Sequence, residues 1–393
     1  MLADMKKNLL ARARSLLRVK KADRRIARAM AGGLTDLPFG PSSLNLMMVD
    51  SCNSQCIMCG KDYKACGTMQ YISSNDIRTI YSHLDMDQIV DVIYGGGGEP
   101  FLNPDIAEIA AYTHAHYPVI QHTVISNLIQ WPQEKVAAML DSRVHFLVSL
   151  NAASRGTYKT ISGVDAFQAV VSHIENLVRL RSARKEAVHI ALSMILMRQN
   201  IDELVNFIKL SSDLGADEVK TLYVRVYPED YRIKQDRNIF IAPSDSLFYE
   251  QQRSDDIIRE AESVAKEKGI RFEHEPYFSC SRKTERNCNE AWKSLFINFN
   301  GDVYPCPASE ILFKPKVDSG EYASGNILQS HVNEIWNNPF WQKLRETNLP
   351  HSRKEHFPEC RCCGNSINWW GSDAEKAHVL DWQEISPAVG KKS

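Results

Sequence analysis

The residues best suited to chemistry are three cysteines near the start of the chain, Cys52, Cys56 and Cys59. Their Cys-x3-Cys-x2-Cys spacing allows one short loop to fold three thiolates around a metal centre. Soft thiolate sulfur favours an iron–sulfur cluster, zinc or Cu(I). A four-iron cluster needs a ligand for each iron, so three local cysteines would leave one iron open to a substrate or cosubstrate.

A glycine-rich run, Gly95-Gly-Gly-Gly-Glu-Pro100, lies downstream of these cysteines. Together with the cysteine spacing, it resembles the radical S-adenosylmethionine (SAM) superfamily. The resemblance implies that Cys52, Cys56 and Cys59 hold a [4Fe–4S] cluster whose open iron binds SAM. Cleavage of SAM would then give a 5′-deoxyadenosyl radical that takes a hydrogen atom from the substrate. Three structural cysteines or a zinc site is the alternative that the spacing leaves open.

The composition is that of an ordinary globular protein. Of 393 residues, 44% are hydrophobic and 24% charged, and the net charge of −1 gives no reason to expect nucleic acid as a partner. We expect no transmembrane segment and no signal peptide, because no apolar stretch has the required length. Ten cysteines without a secretory signal indicate a reducing compartment, so we expect a cytoplasmic protein that binds metal rather than forming disulfides.

Residues 1–40 are predicted to form a basic N-terminal extension and a linker. The first 30 residues contain ten Lys or Arg against Asp4 and Asp23, a local excess of eight positive charges. Apolar residues at helical spacing predict one or two basic amphipathic helices. Such a helix could contact an acidic partner, lie on an anionic membrane surface or act in targeting. The simplest interpretation is a helix that docks on the protein with its charged face in water.

From Leu44 onward, short apolar runs alternate with amphipathic stretches, which predicts an α/β fold with a parallel sheet. Six such units resemble the partial (β/α)6 barrel of radical SAM enzymes, over residues 41–230. Ligands bind beyond the carboxyl ends of the strands in such folds, and the cysteines directly follow the first strand. The predicted strands are Leu44–Val49, Ile89–Tyr94, His122–Ser126, His145–Leu150, Ile190–Leu196 and Val219–Val226. The predicted helices are Ser74–Leu84, Pro104–Tyr117, Pro132–Leu140, Phe167–Leu180 and Ile201–Leu214.

Other residues at the predicted strand ends match the family, and the resemblance implies that they contact SAM. Gly97, Gly98 and Glu99 follow the second strand, where glycine allows the backbone to approach a ligand closely. Met58 replaces the family's common aromatic residue, and its thioether could pack on the adenine, near residues 197–200. The remaining predicted contacts are Ser126, Asn127, Ser149 and Asn151. Asn151 replaces the usual Asp, and strand-end capping is the alternative role for all four.

Four more cysteines form a second set in the C-terminal part of the chain. A Cys-x12-Gly-x4-Cys spacing around a hairpin turn at Gly301-Asp302 is followed by Gly325-Asn-Ile and Glu334-Ile-Trp-Asn elements. This pattern resembles SPASM/twitch domains and implies a small α+β twitch domain over residues 286–370. It would follow a connecting region (231–285) and precede a C-terminal tail (371–393). The implied ligands of one auxiliary [4Fe–4S] cluster, with zinc as the alternative, are Cys288, Cys306, Cys360 and Cys363.

Complete ligation suits the auxiliary cluster to electron transfer. We therefore expect a radical SAM oxidoreductase that dehydrogenates a small sugar, polyol or aminocyclitol-like molecule, with flavodoxin or ferredoxin as reductant. The alternatives are an epimerase or dehydratase of a sugar-like metabolite and a peptide-modifying radical SAM maturase. Many maturases carry a leader-binding winged helix, for which the first 40 residues are too short, and this favours the small molecule. An iron–sulfur sensor or zinc scaffold is the non-enzymatic alternative.

Three cysteines belong to neither set. One of them could return a hydrogen atom to a substrate radical, which would make the enzyme an epimerase, although burial as a structural residue is the commoner role. These candidate hydrogen donors are Cys66, Cys280 and Cys362. Residues that could face the substrate between the barrel and the twitch domain are Arg225, Tyr227 and His274.

Overall fold

A computed structural model describes most of the chain. The described residues are 2–59, 69–184, 188–225, 243–279, 288–306, 312–350 and 352–361, with side chains from residue 15 onward. Five residues singled out from the sequence lie outside these ranges: Cys66, Tyr227, Cys280, Cys362 and Cys363.

Nine strands of the described residues form one sheet. In chain order they are β1 (Ser43–Leu46), β2 (Asp91–Tyr94), β3 (Gln121–Ser126), β4 (His145–Ser149), β5 (Ile190–Leu196), β6 (Glu218–Tyr223), β7 (Arg271–Glu273), β8 (Ser294–Ile297) and β9 (Val303–Tyr304). The order across the sheet is β7-β6-β5-β4-β3-β2-β1-β8-β9. Strands β1 to β7 run parallel, so the predicted α/β fold is confirmed. Because β1 pairs with both β2 and β8, it does not close a barrel onto β6.

Helix α1 (Leu2–Ala31) precedes the sheet, and the other long helices occupy the connections between the parallel strands. These are α2 (Ser74–Ser82), α3 (Ile106–His116), α4 (Gln133–Asp141), α5 (Arg155–Ser162), α6 (Phe167–Ser182), α7 (Leu204–Asp213) and α8 (Gln251–Lys268). Short helices of the C-terminal part are Glu290–Lys293, Lys314–Asp318, Val332–Trp336, Pro339–Asn348 and Pro358–Arg361. Among the described helices, none is both long enough and apolar enough to cross a membrane.

Helix starts show how local sequence sets these elements. Ser73 and Asp76 form a capping box at the start of α2, with the Asp76 N–H donating to the Ser73 hydroxyl at 3.1 Å. Sequence analysis missed α5 and β7. Ser154 caps α5 through the Thr157 N–H, but Gly156 in the first turn weakens the helical pattern. Strand β7 has only three residues, too few for a clear alternation.

A hydrogen-bonded network lies buried between the sheet and helices α2 and α3. The Thr113 hydroxyl lies 3.0 Å from the hydroxyls of both Tyr81 and Tyr94. The Tyr94 hydroxyl lies 3.2 Å from Nδ1 of His122 on β3. Burial, aided by the nearby His114, lowers the pKa of His122 to about 3. His122 is therefore neutral in the folded protein near neutral pH.

A second buried contact joins the C-terminal helices to the N-terminal linker. Arg345 is fully buried, and its guanidinium donates to the carbonyl oxygens of Thr35 at 2.9 Å, Ala291 at 2.8 Å and Trp336 at 2.7 Å. Strand β8 adds to the same attachment by pairing in parallel with β1. One side chain thus satisfies acceptors from three different segments, two of them fully buried.

The state of His122 predicts how stability depends on pH. The unfolded chain binds a proton at His122 below about pH 6.5, whereas the folded chain does not until about pH 3, so the free energy of unfolding falls on acidification across that window. We expect His122→Gln to remove a contribution of at most about 1.4 kcal/mol per pH unit. The pH dependence is measured by urea unfolding near neutral pH and about one pH unit below 6.5, the ordinary pKa of histidine. His116→Gln, at the exposed end of α3, is the control, and equal pH dependence in both variants would contradict the prediction.

The Arg345 contact predicts a large loss of stability when the guanidinium is removed. Arg345→Met keeps the aliphatic stem but leaves three carbonyl groups, two of them buried, without their donor, and we expect unfolding to become easier by about 3 kcal/mol or more. Chemical denaturation of the variant measures the difference. The exposed Arg353→Ala serves as the control and should unfold like the parent protein. A similar midpoint for all three proteins would show that Arg345 does not join these segments.

Candidate functional site

The turn after β2 packs directly against the cysteine loop, which we define as residues 50–59. The Gly98 N–H donates to the Val49 carbonyl at 3.0 Å, and the Glu99 N–H donates to the Ser51 carbonyl at 2.9 Å. A Cβ atom at Gly98 would lie 1.9 Å from the Ser51 carbonyl oxygen. Glycine is required there because the loop backbone occupies the space of a side chain. Sequence analysis predicted a close approach to a ligand, not this approach to the protein's own loop.

The opposite side of the cysteine loop is held by α5. The N–H groups of Gln55 and Ile57 donate to the carbonyls of Ser162 at 2.8 Å and Ile161 at 2.9 Å. Gly163 ends the helix with a φ of +70°, and a Cβ there would lie 2.8 Å from Cβ of Gln55. The helix that sequence analysis missed therefore forms one wall of the site.

The three predicted ligand thiols lie together on this loop and influence one another's ionisation. Burial, with a contribution from the neighbouring thiols, raises the pKa of Cys52 to about 12 and that of Cys56 to about 11. The Cys56 sulfur lies 3.1 Å from the Ser54 hydroxyl, and the Cys59 N–H closes a turn onto the Cys56 carbonyl at 3.0 Å. Because metals bind thiolates, loading this loop would release protons.

The donor set fits an iron–sulfur cluster. Three soft sulfur donors share one braced loop, and the side-chain amide of Asn127 lies 3.7 Å from the Cys52 sulfur. Within the part of the chain that the structure describes, no three His, Cys, Asp or Glu side chains are placed to hold a single metal ion. The fit to an iron–sulfur cluster therefore rests on the sulfur chemistry and the spacing of the three cysteines.

The buried carboxylate of Glu99 joins the turn after β2 to β3. It accepts hydrogen bonds from the Ser126 hydroxyl at 2.7 Å, the Asn127 N–H at 2.8 Å and the Phe101 N–H at 3.1 Å. Burial raises the pKa of Glu99, and the three donors oppose that rise. Glu99 and Ser126, both predicted SAM contacts, thus make their hydrogen bonds within the protein.

The ends of β4 and β5 are joined by two asparagines. Asn151 adopts a left-handed conformation (φ 60°), and its side-chain oxygen accepts from the Ile195 N–H at 2.9 Å. The Asn200 side chain donates to the carbonyls of Asn151 at 2.9 Å and Ile195 at 2.8 Å. Ser149, the last residue of β4, is half-buried beside them. The structure therefore places these predicted SAM contacts at neighbouring strand ends.

A small apolar cluster lies at the same edge of the sheet. It brings Met58 of the cysteine loop together with Met197, at the end of β5, although the two are far apart in sequence. Both were predicted to lie near an adenine, and the cluster would give a flat base an apolar surface. Its members are Ile57, Met58, Ile161, Ile195, Met197 and Val224.

Sequence reasoning missed Glu203 as a part of the site. Its carboxylate accepts from the Ala153 N–H at 2.7 Å, the Ser154 hydroxyl at 2.5 Å and the Thr157 hydroxyl at 2.6 Å. Glu203 thereby caps the first turn of α5. No local signal could have revealed this contact, because the partners are about 50 residues apart.

Two cysteines of the second set, Cys288 and Cys306, lie in the segments on either side of the β8–β9 hairpin. Gly301 lies in the hairpin turn with a φ of +83°, but Ile297 pairs with Val303, so the turn is longer than the two residues, Gly301 and Asp302, that the sequence predicted. Cys288 precedes the helix at Glu290, and Cys306 follows β9. Cys306 and Cys360 are partly buried against the main core. The assignment of these cysteines as cluster ligands stays a prediction.

Two further candidates contact the carboxylates of glutamates. Arg225, after β6, lies 3.6 Å from the carboxylate of Glu275. His274, after β7, lies 2.9 Å from the carboxylate of Glu262 on α8. His274 is thus held at the β7 edge of the sheet, away from the end of β1.

Comparisons with known proteins match two parts of the chain. The radical SAM superfamily profile matches residues 46–211, and the profile of the SPASM iron–sulfur cluster-binding domain matches residues 288–364. A probable GTP 3′,8-cyclase of Saccharolobus solfataricus is 28% identical over 177 residues, 45% of this chain and 54% of that relative. The chain thus spans about half the length of that relative. The mycofactocin maturase MftC of Mycobacterium ulcerans is 24% identical over 330 residues, 82% of either chain.

Solved structures share the fold along most of the chain. SuiB of Streptococcus suis bound to the precursor peptide SuiA has a TM-score of 0.64 at 13% identity, covering 89% of this chain and 79% of SuiB. Native anSMEcpe with bound AdoMet and Cp18Cys peptide has a TM-score of 0.58 at 15% identity, covering 89% of this chain and 98% of that protein. The likeness supports the predicted architecture of a partial barrel followed by a small C-terminal domain.

The contact at Gly98 predicts loss of iron from the cysteine loop. Gly98→Ala places a methyl group against backbone, so the loop must move, and we expect the reconstituted protein to bind about four fewer irons per chain. Iron analysis and the melting temperature measure the effect. The matched control is Gly156→Ala in α5, where no atom lies within 4 Å of the added Cβ. The control should keep its iron and gain up to about 1 kcal/mol in stability. An iron content in Gly98→Ala equal to that of the parent protein would contradict the prediction.

Proposed function

Because this chain is a radical SAM protein with a C-terminal SPASM-type iron–sulfur domain, we propose that it is an enzyme that modifies a peptide. A radical SAM domain binds a [4Fe–4S] cluster and SAM, and a SPASM domain binds further iron–sulfur clusters, so the predicted cofactors are confirmed. When bound, they supply a radical that abstracts hydrogen from the substrate.

The main support for this proposal is the length of chain that is similar to MftC. The match to the probable GTP cyclase covers 45% of the chain, about the size of the radical SAM region alone. The match to the maturase covers 82% of the chain and so extends well beyond residues 46–211. A shared barrel says little about the substrate, since one fold supports many reactions. Similarity that includes the C-terminal domain is the better guide to substrate class.

This proposal replaces the preference for a small sugar, polyol or aminocyclitol-like substrate. That preference depended on the first 40 residues being too short for a leader-binding domain. The comparisons favour the maturase alternative instead, and the likeness to SuiB, solved with a precursor peptide, supports the same substrate class.

The proposal gives the residues of this chain different roles according to their position in the fold. We propose that Cys52, Cys56 and Cys59 hold the SAM-binding cluster at the carboxyl end of the sheet. Met58 and Met197 would exclude water from one side of the bound SAM. In this proposal, the auxiliary cluster is held by Cys288, Cys306, Cys360 and Cys363. A low-potential protein such as flavodoxin or ferredoxin would supply electrons.

An anaerobic activity assay tests the proposal. The full chain, reconstituted with iron and sulfide, is incubated with SAM, reduced flavodoxin and either a peptide library or a panel of sugars, polyols and aminocyclitols. We expect 5′-deoxyadenosine to accumulate together with a mass change in a peptide, and loss of two hydrogens would identify a dehydrogenation. Cys56→Ala should abolish both products because it removes a cluster ligand.

The same assay contains the outcome that would refute the peptide proposal. A mass change confined to the sugar, polyol or aminocyclitol panel, with every peptide unchanged, would restore the small-molecule function. Formation of deoxyadenosine by the Cys56→Ala variant would instead refute the assignment of the cysteine loop.

A further inference from the structure

The side chain of Asn127, at the end of β3, is held in one orientation by its neighbours. Its oxygen accepts from the Ile129 N–H at 3.0 Å. A backbone N–H can only donate, so the atom facing it must be the oxygen and the NH₂ group must point the other way. The backbone N–H of Asn127 donates to the Glu99 carboxylate at 2.8 Å. The amide orientation therefore follows from its hydrogen bonds.

The NH₂ group of Asn127 faces the cysteine loop. It donates to the Asn53 side-chain oxygen at 2.8 Å and lies 3.7 Å from the Cys52 sulfur, within hydrogen-bonding distance for sulfur. The NH₂ group of Asn53 is in turn buried and has no partner among the described residues. A buried donor without a partner is costly, and a bound acceptor next to Cys52 would satisfy it. The Asn127 amide thus faces the first predicted ligand, and a second buried amide, that of Asn53, is bonded to it.

We propose that Asn127 is a positioning residue that fixes the Cys52 sulfur through an N–H···S hydrogen bond and makes the cluster bound there easier to reduce. An N–H directed at a ligand sulfur stabilises the additional negative charge of the reduced state. This differs from the direct contact with SAM that the sequence predicted for Asn127. The inference rests on the proposed role of Cys52 as a cluster ligand.

The structure offers a matched site for comparison. In the C-terminal part, the side-chain NH₂ of Asn348 lies 3.9 Å from the sulfur of Cys360. The same substitution at Asn127 and at Asn348 therefore removes an amide donor from one cysteine of each set. Asp has the shape of Asn, so the change removes the N–H and adds negative charge without changing volume.

The experiment is a redox titration followed by electron paramagnetic resonance, on the full reconstituted chain. The cluster of interest is identified as the one whose spectrum changes when SAM is added. We expect Asn127→Asp to shift its midpoint potential to a lower value, with iron content and SAM affinity unchanged. Asn127→Ala, which removes the donor without adding charge, should give a smaller shift in the same direction. Asn348→Asp should leave this cluster's potential unaltered.

Three results would overturn the proposal. Weaker SAM binding at an unchanged potential would mean that Asn127 contacts SAM directly. Loss of iron in both Asn127 variants would mean that the residue is needed to fold the loop. An equal shift in Asn348→Asp would mean that the effect is not local. A parent protein that binds iron but shows no SAM-responsive cluster would instead refute the proposed function.

Discussion

The contact on which the candidate site depends is the approach of the Gly98 backbone to the Ser51 carbonyl. There is no room for a side chain at Gly98, because the turn after β2 is in direct backbone contact with the cysteine loop. Glu99, the next residue, carries this connection to β3 through the Ser126 hydroxyl and the Asn127 N–H. Asn127 returns to the loop at Cys52. The ends of β1, β2 and β3 are thus connected to one another by contacts around Cys52.

These contacts between strand ends explain why several residues predicted to contact a cofactor have hydrogen-bond partners within the protein. A parallel sheet brings polar strand ends together at one edge, where buried polar groups must find hydrogen-bond partners. Glu99 and Ser126 satisfy each other, and Asn151 and Asn200 join β4 to β5. Such bracing keeps a binding surface in place before a ligand arrives. A site prepared in this way suits chemistry in which position and the exclusion of water matter most.

The C-terminal part is attached to the same sheet and not merely tethered by a linker. Strand β8 pairs with β1, whose following loop carries the first set of cysteines, and β9 leads directly to Cys306. Arg345 fixes the surrounding helices to the N-terminal linker. The described cysteines of both sets, Cys363 not among them, are therefore held on one framework.

The sequence by itself determined the alternation of strands and helices, the two cysteine sets and the hairpin at Gly301. These features depend on periodicity, spacing and turn chemistry, which are written in neighbouring residues. Only the tertiary structure decided that Glu203 caps α5, that Asn127 faces Cys52 and that Arg345 reaches Thr35. Those partners are 46 to 310 residues apart, and no local pattern encodes them. The cysteine loop could be predicted because its three cysteines are close neighbours in the chain, whereas the residues that support the loop are brought there by packing between distant segments.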